Sequence, residues 1–153
     1  LNFTIKGIHI GMKVIWNYTP PTNGGDTFTS IKKGSKATLK IVQNKENGFI
    51  KELYIQKAQN TENATFKTQL EKTIKELQDT YPFLSIKERN NGLYLIDIPQ
   101  VCRSGHEAHF SKVAKTFLHY LQYKDMPEWE NENTISKYYI TTTAVEMAKS
   151  RDK

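Results

Sequence analysis

The sequence has one cysteine, no long apolar run and no leader-like segment, and each shortage excludes a class of protein. Cys102 is the single cysteine, so no disulfide can form within the chain and the redox compartment is not indicated. No apolar run approaches the ~20 residues that a transmembrane helix needs. Residues 1–18 alternate between polar and apolar side chains, unlike the continuous apolar stretch of a signal peptide.

What is present describes one ordinary soluble domain. The chain has 153 residues, which is long enough for one hydrophobic core and too short for two large domains. Its composition, 37% hydrophobic and 25% charged, is typical of a globular protein. We therefore expect residues 1–153 to form a single domain. Because the chain does not begin with Met, we also expect a piece of a longer or processed protein, in which any targeting signal would lie upstream.

The positive charge raises the question of nucleic acid. The net charge is +6 and the pI is near 9.3. The lysines, however, are spread along the whole chain and interleaved with acids, whereas a nucleic-acid footprint usually clusters on one face or motif. A solvated, lysine-rich surface is the favoured interpretation.

Apolar periodicity predicts about six strands and three helices. Alternation predicts a long strand over residues 8–18, and the slipped phase of Phe3 and Ile5 predicts a bulge at Gly7. The other strands are expected at about 27–33, 36–43 and 49–57 and in a hairpin, LSIKER and LYLIDI, around Asn90-Asn91-Gly92.

Spacings of three and four residues predict the helices. One helix is expected to carry Phe66, Leu70 and Ile74 and to end before Pro82, a second to start near Ser104, and a third to span about 134–149. Hairpin-like connections between the strands then predict the α+β class, an open, mostly antiparallel sheet with the helices on one face. The uncovered face is predicted to mediate self-association or contact with a missing domain.

The stretch CRSGHEAHF, residues 102–110, supports three interpretations. Ser104 and Glu107 have the spacing of a capping box, which predicts a helix start. His106 and His109 share a helix face and could reach one metal ion, but HEAH is one residue shorter than the HExxH pattern, and nothing selects a third ligand among Cys102, Glu107 or Asp26. Catalysis by Cys102 would need a base whose position the sequence does not show. The helix start is favoured.

The loop NGGDT, residues 23–27, is a second candidate site. Adjacent glycines let the backbone approach a ligand closely, and Asp26 could accept hydrogen bonds from sugar hydroxyls or cap a turn. A hairpin loop that needs glycines for its turn explains the same residues. The loop is not a dinucleotide fingerprint, since no GxGxxG joins a strand to a helix anywhere in the chain.

Several strings in order resemble the C-terminal domain of Gfo/Idh/MocA-type oxidoreductases, in the branch described as putative oxidoreductase C-terminal domain. They are KGIHIGMKVIWNYTPPTNGGDT, KGSKATLKIVQ, ELYIQ, LQDTYPFLSI, VCRSGHEAHF and ISKYYITTTAVEMA. The resemblance implies that an N-terminal Rossmann domain binds NAD(P), while this domain covers the substrate and uses its open sheet for subunit contacts. It also implies a location in the cell envelope.

The same resemblance bears on the site residues. The catalytic lysine and histidine of that superfamily precede the matched region, so this fragment alone is expected to be inactive, with no catalytic, cofactor or metal residue of its own. Substrate contacts are implied for Gly24, Gly25, Asp26, Thr27, Arg103, His106 and His109. Related sequences carry His after the GGDT string, where this chain has Phe28.

Two other function classes stay open at this point. The chain could be a non-catalytic carbohydrate-binding or protein-interaction module whose parent has lost redox activity. A metal-dependent hydrolase built on the HEAH string is the weaker of these two interpretations. An upstream glycine-rich βα unit would favour the oxidoreductase.

The first prediction concerns the cofactor. The isolated chain should not bind NAD⁺ or NADP⁺, because a dinucleotide needs a glycine-rich turn that leads from a strand into a helix N-terminus. Isothermal titration calorimetry measures this directly, and micromolar affinity for either nucleotide would contradict it.

Overall fold

The computed structural model describes residues 1–90 and 92–151, which form two compact units. Residues 19–104 make up the sheet unit. Residues 1–18, together with the chain from residue 105 onward, make up the helical unit. That the two units fold together as a single domain over 1–153 stays a prediction.

The described residues form seven short strands and three long helices. The elements are β1 (Asn2–Ile5), β2 (Ile8–Gly11), β3 (Phe28–Lys33), β4 (Ala37–Gln43), β5 (Glu52–Lys57), α1 (Asn63–Leu77), β6 (Ser85–Asn90), β7 (Leu93–Asp97), α2 (His106–Tyr123) and α3 (Glu128–Arg151). Short 3-10 helices lie at Lys45–Asn47 and Gln100–Cys102. The α+β class is therefore confirmed.

The five strands of the sheet unit form an open antiparallel sheet in the order β3-β4-β5-β7-β6. The turn expected between β3 and β4 is present, and Gly34 N donates to the carbonyl of Ala37 at 2.9 Å. The hairpin of β6 and β7 is also present. Asn91, in the middle of its expected turn, lies outside the described residues.

The core of the sheet unit forms where α1 packs on the sheet. Leu70 and Ile74, four residues apart on α1, are buried in one cluster with Tyr94 and Ile96 of β7. Tyr94 is completely buried, and its ring lies 6.0 Å from that of Phe66. Burying a side chain of this kind contributes about 1.5–3 kcal/mol, so this cluster holds α1 on its face of the sheet. Of the three helices expected on one face, α1 belongs to the sheet unit and α2 and α3 belong to the helical unit.

The expectation of a long strand over 8–18 with a bulge at Gly7 is wrong. Lys6 and Gly7 both have positive φ, 48° and 77°, and form the two-residue turn of a hairpin in which β1 pairs with β2. The last bonds of this ladder join Leu1 and Met12, and residues 12–18 have no regular structure. An alternating segment forms a strand only where another strand pairs with it, so the pattern beyond Met12 misled the prediction.

The expected capping box at the start of α2 is also wrong. The helix begins at His106 with Gly105 as its N-cap, one residue later than predicted, so Ala108 rather than Glu107 stands at the third helical position. Ser104 therefore lies outside the helix, and Glu107 is in its first turn.

The last helix is longer than the expected span of 134–149. It begins directly after Pro127, and Glu128 and Glu130 lie in its first turn, where acidic side chains favour the helix dipole. Thr141 and Thr142 bond back to carbonyls one turn earlier, which accommodates these polar β-branched side chains within the helix. No helix in residues 1–90 and 92–151 is long and apolar enough to cross a membrane.

The second prediction concerns the hydroxyl of Tyr94. Within the described residues this buried oxygen has no hydrogen-bond partner, and burial is the main cause that raises the pKa of Tyr94. An unsatisfied buried hydroxyl costs about 1–3 kcal/mol, so Tyr94→Phe should raise the free energy of unfolding by about 1 kcal/mol. Tyr94→Ala should lower it by about 3–5 kcal/mol, because it leaves a cavity.

Urea denaturation followed by circular dichroism measures both changes. A clear loss of stability in Tyr94→Phe would contradict the prediction and identify a bond from the hydroxyl, for which Glu88 is the nearby acceptor.

Candidate functional site

The candidate loop lies at one end of the five-stranded sheet. Strand register brings the start of β3 next to the end of β4, and Phe28 pairs with Gln43. At the same end β5 begins and β7 ends, since Leu53 pairs with Ile96. We call this the loop end of the sheet, because the segments 19–27, 44–51 and 98–104 all meet the sheet there.

Gly24 is required by the turn that opens the loop. Its N–H donates to the carbonyl of Pro21 at 2.7 Å. A Cβ at Gly24 would lie 2.7 Å from that same oxygen and from the proline ring, too close for any side chain. The interpretation of the glycine as a turn residue therefore has a physical basis, independent of any ligand.

Gly25 has a different role, because it faces an aromatic ring. A Cβ there would lie 3.4–3.5 Å from Phe49, which is ordinary to tight contact. Phe49 has a positive φ of 59°, an unfavourable conformation for a bulky residue. The conformation is held by its own N–H, which donates to the carbonyl of Asn44 at 2.7 Å. The backbone thus holds this ring against the glycine loop.

The segment before β5 explains why this strand starts later than the sequence predicted. Asn44 and Asn47 bond each other reciprocally, in a capping box at the 3-10 helix Lys45–Asn47. Asn47 also donates to the carbonyl of Val42 at 2.9 Å. Gly48 closes the turn with a φ of 62°, so the chain reaches extended pairing only at Glu52 instead of residue 49.

Arg103 connects two of the three segments at the loop end. Its Nη1 donates to the carbonyl of Lys51 at 2.6 Å, and its Nε donates to the carbonyl of Ile98 at 3.1 Å. The Lys51 ammonium in turn lies 5.0 Å from the ring centroid of Phe28. Contacts through Phe49, Lys51 and Phe28 therefore link the loop 19–27 to the segment 44–51 and to Arg103.

Asp26 and Thr27 lie within this linked region and are exposed to solvent. Their backbone is positioned by Gly25 on one side and by Phe28, the first residue of β3, on the other. An exposed carboxylate on a positioned loop can accept hydrogen bonds from hydroxyl groups of a ligand. Direct contact of any of these residues with a substrate stays a prediction.

His106 and His109 lie in the helical unit, whereas Gly24, Gly25, Asp26, Thr27 and Arg103 lie in the sheet unit. Both histidines are exposed in the first turn of α2, and the His106 ring lies 4.7 Å from that of Phe110. In the described part of the chain, no three His, Cys, Asp or Glu side chains are grouped so as to hold a metal ion.

A polar group on the sheet face opposite α1 was missed by sequence reasoning. The Tyr54 hydroxyl donates to Glu52 at 2.6 Å, and this hydrogen bond, with burial, raises the pKa of Tyr54. On the same face Lys87 and Asp97 form an ion pair at 2.7 Å. The two-residue spacing of Glu52 and Tyr54 along β5 was the available signal, but the partner of Lys87 depends on the β6–β7 register.

This open face, as we call it, is mixed in character. Strand register aligns one row across it, which consists of Ile31, Lys40, Tyr54, Leu95 and Lys87. Ile31 is half exposed, while Leu95 is buried. Apolar, aromatic and charged side chains are thus mixed on the face that the sequence predicted to be uncovered.

Comparison with known proteins gives a consistent result. A family model described as "Putative oxidoreductase C terminal domain" matches residues 1–149. A crystal structure of a putative oxidoreductase from Parabacteroides merdae ATCC 43184 is similar, with 39% sequence identity and a TM-score of 0.94 over 98% of this chain. The match covers 34% of that protein, so this chain spans about a third of its length. No curated protein matches the chain.

The third prediction concerns Arg103. Arg103→Lys should lower the free energy of unfolding by about 1–2 kcal/mol, because a lysine cannot donate to two carbonyls in the fixed geometry of a guanidinium. The same change at exposed Arg89 is the matched control and should cost less than about 0.5 kcal/mol. Equal effects of the two variants in urea denaturation would contradict the anchoring role of Arg103.

Proposed function

Because the chain belongs to the putative oxidoreductase C-terminal domain family, we propose that it is the substrate-side and subunit-contact domain of an NAD(P)-dependent oxidoreductase of the Gfo/Idh/MocA type. Its substrates are sugars or sugar-like polyols. The family match over residues 1–149 carries this proposal. A C-terminal domain implies a separate N-terminal domain, which would hold the cofactor.

The geometry of α1 supports a cofactor site outside this chain. A pyrophosphate needs the free N–H groups of a helix N-terminus. At the start of α1 the Glu62 carboxylate accepts from the N–H groups of Ala64 at 2.8 Å and Thr65 at 2.6 Å. Hydrogen bonds from Thr65 and Ala64 hold the pKa of Glu62 below its usual value, so a negative charge stands where the phosphate would bind. The segment from β5 to α1 also lacks glycine.

The loop end supports the substrate role. Asp26 is an exposed acceptor on a loop that is fixed by the Gly24 turn and by the Gly25–Phe49 contact. A hydroxyl-rich substrate matches such an acceptor, because each sugar hydroxyl can donate one hydrogen bond. For His106 and His109, which lie in the helical unit, substrate contact is proposed from the family resemblance alone.

The open face supports the subunit-contact role. A non-obligate interface is about as polar as the rest of the surface and contains few unpaired charges. The open face has exposed Ile31 beside Lys40, and its Lys87 and Asp97 are already paired. A second copy could therefore bury this face without leaving those two charges unpaired.

A carbohydrate-binding or protein-interaction module is the second candidate, and Trp16 favours it. This side chain is 92% exposed in the irregular segment after β2. An exposed indole ring can stack on a sugar or fill a pocket of a partner. The module has no turnover, so the assay below separates the two functions.

The functional test uses the longer enzyme that contains this chain together with its N-terminal domain. Purified enzyme is mixed with NAD⁺ or NADP⁺ and a panel of sugars and polyols, and nicotinamide reduction is followed at its absorbance band. We expect turnover with at least one member of the panel. Sugar binding without any turnover in either direction would contradict the oxidoreductase proposal and favour the binding module.

The fourth prediction concerns Asp26 in that enzyme. Asp26→Asn should raise KM about tenfold with little change in kcat, since a hydrogen bond to a charged acceptor is worth about 1.5–3 kcal/mol. The matched control is Asp79→Asn, at an exposed acid outside the loop, which should leave both constants unchanged. An unchanged KM in Asp26→Asn would remove Asp26 from the substrate site.

A further inference from the structure

Phe49 combines a bulky side chain with a backbone conformation that favours glycine. Its φ is 59°, and Gly48 before it has a φ of 62°. The N–H of Ile50 donates to the carbonyl of Asn47 at 3.2 Å, so Gly48 and Phe49 are the central pair of a tight turn. Turns with positive φ at both central residues strongly prefer asparagine or glycine there. The local geometry of the turn therefore does not explain a phenylalanine at this position.

Hydrogen bonds within the segment 44–51 fix this unfavourable backbone. The N–H of Phe49 donates to the carbonyl of Asn44 at 2.7 Å. The Asn44 side chain accepts from the N–H groups of Glu46 and Asn47, at 3.0 Å and 3.3 Å. Asn47 in turn donates to the carbonyl of Val42 in β4. The backbone of Phe49 is thus fixed relative to the sheet.

The side chain of Phe49 lies against the candidate loop. It is half-buried, and a Cβ on Gly25 would lie 3.4 Å from the Cβ and 3.5 Å from the Cγ of Phe49. Because Gly25 has no side chain, the loop backbone can approach the phenylalanine this closely. The next residue is Asp26, which is exposed. The contact of Phe49 with Gly25 therefore restricts the backbone that carries Asp26.

We propose that Phe49 is a positioning residue for Asp26. The left-handed backbone places the ring against Gly25, the ring holds the loop, and the loop presents the Asp26 carboxylate to a substrate hydroxyl. Unfavourable backbone conformations persist at functional sites, where the surrounding structure over-determines them. The inference rests on the proposed function, in which Asp26 contacts the substrate. Phe49 itself acts only through the loop.

Kinetics and hydrogen exchange of the longer enzyme test this role. Phe49→Gly removes the ring and keeps the turn, because glycine adopts positive φ without strain. It should raise KM about fivefold with little change in kcat, since the acceptor is no longer held in place. The Gly24 amide, which donates to Pro21, should exchange at least tenfold faster. Phe49→Tyr keeps the ring and should leave KM and the exchange unchanged.

The chain offers a matched control for the glycine substitution. Lys6 also has positive φ and precedes a glycine, Gly7, in the two-residue turn of the β1–β2 hairpin. Lys6→Gly therefore makes the same backbone change in the same kind of turn, away from the loop. It should leave KM and the exchange of Gly24 unchanged.

A double substitution separates positioning from an independent effect. If Phe49 acts through Asp26, Phe49→Gly should raise KM no further in the Asp26→Asn enzyme, because the interaction that the ring supports is already lost. Increases in KM that multiply in the double variant would overturn the proposal.

The remaining outcomes are also distinguishable. Unchanged exchange of Gly24 in Phe49→Gly overturns the positioning role, whatever the kinetics. Faster exchange with an unchanged KM in a working enzyme overturns it as well. If the unmodified enzyme turns over no sugar or polyol, the proposed function fails, and the exchange of Gly24 alone decides whether Phe49 holds the loop.

Discussion

The burial of Tyr94 beneath α1 is the interaction on which the sheet unit depends. Tyr94 and Ile96 supply the sheet side of the core, and Leu70 and Ile74 supply the helix side. β7 lies between β5 and β6, so this contact fixes a strand in the interior of the sheet. The position of the loop end follows, because β5 is aligned on β7 and β4 and β3 are aligned in turn on β5.

Backbone hydrogen bonds then position the loop end. Arg103 donates to carbonyls on both sides of the strand ends, and Asn44 and Asn47 close the turn that presents Phe49. The unfavourable backbone of Phe49 persists because these bonds over-determine it. Rigid surroundings of this kind suit a loop whose exposed acceptor, Asp26, is proposed to select a hydroxyl-rich ligand.

The helical unit is organised differently. Most of the large apolar side chains on α2 are exposed, as are Trp129, Tyr138 and Tyr139 on α3. One side of α3 meets the β1–β2 hairpin around Ile140, in a groove that Phe3 and Ile10 also line. A contiguous exposed patch of large apolar side chains is typical of an interaction site.

Local patterning determined much of this protein. Two-residue alternation around Gly34 was sufficient for β3 and β4, and the three-and-four spacing of Leu70 and Ile74 was sufficient for α1, because each pattern is satisfied by neighbours close in sequence. The strings that resembled an oxidoreductase C-terminal domain identified the family. The alternation of polar and apolar residues also misled the prediction, because it continues past Met12 although no strand pairs with residues 12–18.

Tertiary structure decided the rest. The bond from Arg103 to the Lys51 carbonyl joins residues 52 positions apart, and no local sequence pattern predicts such a contact. The pairing of Lys87 with Asp97 depends likewise on strand register. The exposure of Phe117 is the clearest case, because large apolar side chains spaced by three and four residues on a helix are typical of a buried face. Only the fold decides which apolar faces remain uncovered, since burial depends on what surrounds a helix and not on the helix itself.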